Sequence, residues 1–185
     1  RSTLFPYTTL FRSQPQLRAF LNVASVGVSG EVVRRVNASN AQLGPTLKYL
    51  LGSLEGILGW RNVQVRVQTD DQPERRIDLT LAIVANGQYF GAGMWVCPEA
   101  AIDDARFDLL EVAGMSRRTL VATLAKVFGG KHLRVHGVSH GHGQTIRFDP
   151  VWAQARVPIE IDGEQVGRLP ASFELRSAAL RLRIG

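Results

Sequence analysis

The chain has 185 residues, of which 45% are hydrophobic and 21% charged, with a mean hydropathy of −0.01. A chain of this length can bury roughly 70% of its unfolded surface, so it needs neither a disulfide nor a metal to hold a core. No apolar run approaches the ~20 residues that span a bilayer, no signal-peptide core opens the chain, and the single cysteine, Cys97, fits a reducing, cytoplasmic compartment.

Thr3–Ser13 reads TLFPYTTLFRS, which repeats Thr-Leu-Phe and carries no period that continues downstream. It resembles the translation of a sequencing-adapter oligonucleotide, so Arg1–Ser13 is set apart from the fold and Gln14–Gly185 is taken as one domain. Removing Arg1 and Arg12 from the formal charge of +6 leaves +4. The remaining basic residues are scattered as Arg34-Arg35, Arg75-Arg76 and Arg117-Arg118. No basic block with interleaved aromatics appears, which argues against nucleic acid, whereas a modest positive charge allows attraction to anionic membrane surfaces or phosphorylated ligands.

Leu17–Ala24 reads as an extended apolar segment, and Ser29 as the N-cap of a short helix reaching Val36. Pro45 opens a longer helix that Gly59 stops. Its Leu47, Leu50, Leu51, Leu54, Ile57 and Leu58 predict one buried face. Trp60–Thr69 alternates as a half-buried strand, turns at Asp70-Asp71-Gln72-Pro73 and returns through Arg75–Ala85 as a hairpin. The aspartate pair in that turn is expected to be solvated. Ser116 caps a third helix with Leu120, Val121, Leu124, Val127 and Phe128 inward. Arg117-Arg118 at its start oppose the helix dipole, a conflict that a bound anion or plain solvation would relieve.

His132, His136, His140 and His142 are separated by even numbers of residues and would share one face of an extended strand. Imidazole suits zinc, nickel or copper, but four-residue spacings lie ~13 Å apart on a strand, so only His140-x-His142 could chelate. The rest is strand-like: Thr145–Phe148, Ala155–Ile161, Gln165–Leu169, Ala171–Arg176 and Ala179–Ile184. Asp162-Gly163 between two of these runs is a strong hairpin-turn signal in its own right.

The stretch from Leu81 to Val112 organises the chain. A buried strand breaks at Asn86-Gly87, passes Tyr89-Phe90-Gly91-x-Gly93, and reaches Pro98-x-Ala100-x-x-Asp103-Asp104 before Asp108-Leu109. With Asn22-Val23-Ala24-Ser25-x-Gly27 upstream and Ile161-Asp162-Gly163-Glu164 downstream, it resembles the C-terminal domain of bacterial diacylglycerol-kinase-type lipid kinases. The resemblance covers Ala19–Ile184. It implies a mainly β fold with inserted helices (α+β), an antiparallel β-sandwich-like domain on the lipid side of an ATP-dependent kinase. It also implies catalytic Glu164 with Asp162 beside it, and a structural Mg2+ on Asp104 and the carbonyls of Ala101 and Arg106. Ala105 and Ala92 depart from the pattern. ATP would bind an N-terminal α/β domain whose Gly-Gly-Asp-Gly signature is not found in this sequence. The partners so implied are a lipid at the membrane surface and ATP, with a homodimer left open. Two alternatives stand beside this reading: a non-catalytic lipid-binding module, and a small-molecule kinase of the NAD-kinase kind.

Overall fold

The computed structural model of the chain describes residues 7–11, 17–38 and 44–176. The strand read over Ala179–Ile184 lies outside them. The Trp60–Ala85 region folds as its patterns dictate. The alternating residues form β4 (Val63–Thr69), which turns at Asp70 into β5 (Arg75–Ala85). The turn is more than solvated, because Asp70 Oδ1 accepts from the N–H groups of Gln144 and Thr145.

β5 is a branch point. Its first half pairs with β4, and its second half lies between β3 (Val23–Gly27) and β8 (Phe107–Ala113). Beyond β3 come β11 (Pro158–Ile161) and β12 (Glu164–Arg168). Beyond β4 come β10 (Thr145–Pro150), β13 (Ala171–Leu175), β1 (Tyr7–Phe11) and β2 (Leu17–Phe20). β9 (Val138–Gly143) pairs with β8, while β6 (Tyr89–Phe90) and β7 (Met94–Trp95) make a separate small hairpin. All of these pairings are antiparallel.

One core fills the curl of the sheet. Phe20 stacks on Phe107 with centroids 5.9 Å apart, and Phe173 meets both Phe20 and Phe148 edge-on. Ala82 and Val84 of β5 face this core. Leu81, Ile83 and Ala85 point the other way, toward apolar clusters shared with the helices and the Met94–Ala100 loop. A strand covered on both faces reads as a continuous apolar run, which is why Leu81–Ala85 does not alternate in sequence.

The helices are α1 (Val28–Ala38), α2 (Pro45–Gly59) and α3 (Arg117–Val127). Ser116 caps α3 as expected, accepting from Thr119 N–H at 3.2 Å. Ser29 does not cap: it lies inside α1, and its hydroxyl donates to Ser25 Oγ. Phe128, expected inward, is exposed.

The buried face of α2 is also corrected. Leu47, Leu50, Leu51 and Leu58 are each at least 40% exposed, while Ser53 and Ile57 are buried. The cause lies in the neighbouring helix. A Cβ at Gly52 or Gly56 would lie 2.6 Å from a methyl of Val36 or Val32, so α2 packs on α1 through its glycines. Close backbone approach outweighs the leucine pattern here.

Two further expectations change. Tyr7–Phe11, set apart on sequence grounds, forms β1 and bridges β13 and β2. The four histidines do not share a strand. His132 sits in a 3-10 turn (Lys131–Arg134), and only His140 and His142 lie on β9.

Candidate active site

The hairpin joining β11 to β12 turns at Asp162 (φ +46°) and Gly163 (φ +91°), the positive-φ pair that a tight hairpin requires. The Asp162 carboxylate accepts from the backbone N–H groups of Leu21 (2.9 Å), Asn22 (3.2 Å) and Val23 (3.0 Å). Asn22 in turn donates through Nδ2 to the Tyr89 carbonyl at 3.0 Å. Its own carbonyl accepts from Asn86 and Gly87. A side chain at position 87 would collide with the Asn22 amide, which accounts for the glycine of Asn86-Gly87. Three motifs far apart in sequence are therefore knotted at one point. Asp162 is engaged there as an acceptor. Glu164, the first residue of β12, is exposed.

A carboxylate that sequence reasoning missed lies behind this knot. Glu160 is only 1% exposed. It accepts from the Ser25 hydroxyl and from Gly163 N–H at 2.5 Å, and Ser25 accepts from Ser29 at 2.6 Å. Burial pushes the Glu160 pKa above the ordinary carboxylate range; the two hydrogen bonds work against the shift and the Asp162 charge adds to it. The signal was present in sequence as an acidic residue between two isoleucines of a strand, Ile159-Glu160-Ile161, but no spacing tied it to the turn.

Glu160, Asp162, Gly163 and Asn22 border a cleft of about 240 Å³, closed on one side by Tyr49 and Phe90. The two rings meet edge-on, with centroids 6.2 Å apart. Gly91 adopts φ +41°, and a Cβ there would come within 2.5 Å of the Tyr49 ring, so the Tyr89-Phe90-Gly91 motif needs its glycine. Tyr49 and Phe90 also line a second, apolar cavity of about 80 Å³ between the three helices and the sheet. The polar cleft and the apolar cavity thus share a wall. Burial first, and the Glu160 charge second, push the Tyr49 hydroxyl pKa up, so it stays a neutral donor.

The Asp104 loop lies elsewhere. Asp104 Oδ1 accepts from Arg106 N–H at 3.0 Å, and Oδ2 from Arg106 Nε at 3.2 Å. Ala105 adopts φ +58°, the left-handed conformation that glycine tolerates best. An all-oxygen donor set suits a hard cation such as Mg2+. The residues present fit one on condition that the exposed Arg106 guanidinium swings off Asp104. At the start of α3, Arg117 donates to the Trp60 carbonyl at 3.2 Å, an internal partner in place of an anion.

A curled antiparallel sheet, capped by helices on one side and latched by an acidic Asp-Gly turn, defines a mainly β domain of sandwich-like build. Residues 22–184 match the YegS C-terminal NAD kinase beta sandwich-like domain, and the chain belongs to that family. A diacylglycerol kinase of Mycobacterium tuberculosis (strain ATCC 25618 / H37Rv) is 27% identical over 163 residues, covering 88% of this chain and 51% of the relative. A diacylglycerol kinase of Staphylococcus carnosus (strain TM300) is 28% identical over 159 residues, covering 84% and 50%. A solved structure of a diacylglycerol kinase from Bacillus anthracis str. Sterne overlays 96% of this chain and 52% of its own at a TM-score of 0.56, with 15% identity, a likeness of fold alone. The chain spans about half the length of the curated relatives it matches.

Proposed function

We propose that this chain is the substrate-side half of an ATP-dependent lipid kinase that phosphorylates the hydroxyl of diacylglycerol or a related lipid. One observation carries the reading: a cleft bordered by carboxylates shares Tyr49 and Phe90 with an apolar cavity. A lipid with a polar hydroxyl end and an acyl end needs both environments side by side. At about 80 Å³ the cavity takes only the first part of an acyl chain, and the rest would run along the membrane. The names of the relatives support the same substrate class. A nucleotide-sized polar substrate, as the NAD-kinase alternative would require, has no use for the apolar half. Among the described residues no helix is long and apolar enough to cross a membrane. In this reading the lipid is met at the membrane surface.

A lipid hydroxyl attacks phosphorus poorly unless a base takes its proton as the O–P bond forms and ADP leaves. In this reading Glu164 is that base. Asp162 is a positioning residue that holds the turn to Leu21–Val23. ATP would be held by an N-terminal domain. A Mg2+ at Asp104, with the carbonyls of Ala101 and Arg106, would fix the loop beside β8 and belongs to the same proposal.

The test joins this chain to the ATP-binding half of a relative. Glu164→Gln is expected to lower kcat by ~10²–10⁴-fold while lipid binding and Tm stay unchanged. Full activity in that variant, together with a collapse in Glu160→Gln, would move the base to Glu160, whose raised pKa and place on the cleft favour it as the second reading. The 185-residue chain alone should transfer no phosphate from ATP. Lipid phosphorylation by it would overturn the half-enzyme reading.

A further inference from the structure

Asp108, His140 and His142 gather on the helix-bearing face of the sheet, on the β8–β9 side of β5 and across that strand from the acidic turn. β8 and β9 pair so that Asp108 stands directly opposite His142, with His140 two residues along on the same face. Directly opposed residues on one face have Cβ atoms ~5 Å apart, and diagonal neighbours remain within reach of long side chains. The paired strands therefore aim three side chains at a common point. One ligand atom from each lies within 4.8 Å of the others. His140 Nε2 is 2.8 Å from Asp108 Oδ1, and His142 Nε2 is 3.4 Å from the same oxygen.

Two independent features set this cluster apart from an ordinary surface group. Asp108 is only 1% exposed, yet its Oδ2 has no hydrogen-bond partner among the described residues. A buried carboxylate oxygen without a partner is costly, and the nearby Cys97 offers at best a weak thiol donor. The second feature is the reverse side of His140. Its Nδ1 faces Glu99 Oε2 at 3.8 Å. A carboxylate behind the far nitrogen of a histidine is the usual outer support of a metal-bound imidazole. His142 is exposed, which gives an ion a way in.

We propose that Asp108, His140 and His142 form a site for a borderline divalent transition-metal ion of the Zn2+ class, clamping β9 to β8 beneath the Glu99 loop. Bond lengths of ~2.0–2.2 Å place two tetrahedral ligands about 3.4 Å apart, the separation already present between His142 and Asp108. The His140–Asp108 pair opens by about 0.6 Å to reach that edge. Two imidazoles and a carboxylate select this class over Mg2+, which takes oxygen ligands and is proposed for the separate Asp104 loop. Three protein ligands leave the fourth position to water.

The experiment titrates the full 185-residue chain, stripped with a chelator, using Co2+ as a spectroscopic stand-in and Zn2+ as a competitor. The expected result is one ion per chain, visible d–d bands of a tetrahedral site that Zn2+ abolishes, and a Tm rise of ~5–10 °C at hundredfold excess over Kd. His142→Ala, at an exposed position, should leave the metal-free Tm unchanged and weaken binding more than tenfold. Glu99→Gln should weaken it by ~10-fold or more through the outer support. Asp104→Ala should leave the bands intact. Absence of bands and of any Tm rise in the parent chain would overturn the proposal. So would unchanged binding in His142→Ala, or loss of the bands in Asp104→Ala.

Discussion

Three residues near the two loops carry opposite kinds of strain and satisfaction. Ala105 holds a left-handed backbone that costs a non-glycine residue ~1–2 kcal/mol, partly offset by the smaller unfolded-state entropy of alanine. Ala105→Gly should therefore raise Tm by a few degrees at most, read by calorimetry. Asp162 accepts three backbone N–H groups, and an amide in its place would turn a donor toward donors. Asp162→Asn should cost ~1–3 kcal/mol in a denaturant titration, before any effect on catalysis. For Glu160 the folded-state pKa lies above the ordinary carboxylate value, so the folded protein binds the proton more tightly. The associated stability is complete below the ordinary carboxylate pKa and is lost as pH rises through the folded value. Glu160→Gln mimics the protonated form, so its Tm should gain on the parent chain as pH rises above the ordinary carboxylate range. No gain would mean that Glu160 is ionised at no net cost. Of this site, the Asp-Gly turn was legible in sequence because positive φ restricts residue choice. Glu160 was not, because nothing local distinguishes a buried acid in an apolar strand from one on an edge.

At the level of elements, the sequence announced α2 to the residue at both ends, through Pro45 and Gly59, and yet misled about its orientation. Hydrophobic periodicity reports which face is apolar, whereas the glycine row Gly52–Gly56 decides which face can approach α1. The two criteria disagree, and the glycines win. Ile57→Ala should therefore cost ~2–5 kcal/mol, whereas Leu58→Ala, one residue away, should stay within ~0.5 kcal/mol. Equal losses in urea unfolding would reverse that assignment. β4, β5 and β8 were legible because alternation or a continuous apolar run survives in them. β1 was not, since Tyr7–Phe11 resembles foreign sequence and belongs to no pattern that the later strands share. Placed between β13 and β2, it supports the strand that carries Phe20 into the core. Deleting Arg1–Phe11 should lower Tm by more than ~2–4 °C, the equivalent of about 1 kcal/mol in a chain of this size.

For the whole molecule, the branch at β5 divides the interior in two. The curl encloses the phenylalanine core, and the opposite face supports the helices, the apolar cavity and the cleft. The site therefore rests on a sheet whose other side is packed independently of any substrate. The latch on Asp162 adds a temporal constraint. Its carboxylate reaches back across 139 to 141 residues to Leu21–Val23, and β11 reaches back to β3 over a similar interval. On the ribosome, β3 is made first and can pair with β5 early, but its other edge stays open until almost the entire domain has been synthesised. Contacts so distant in sequence are slow to form, and an open strand edge invites wrong partners in the meantime. The strand before the acidic turn is thus also the closing stitch of biosynthesis: a nascent chain halted before Pro158 would emerge with its first inner strand half-paired and prone to aggregate.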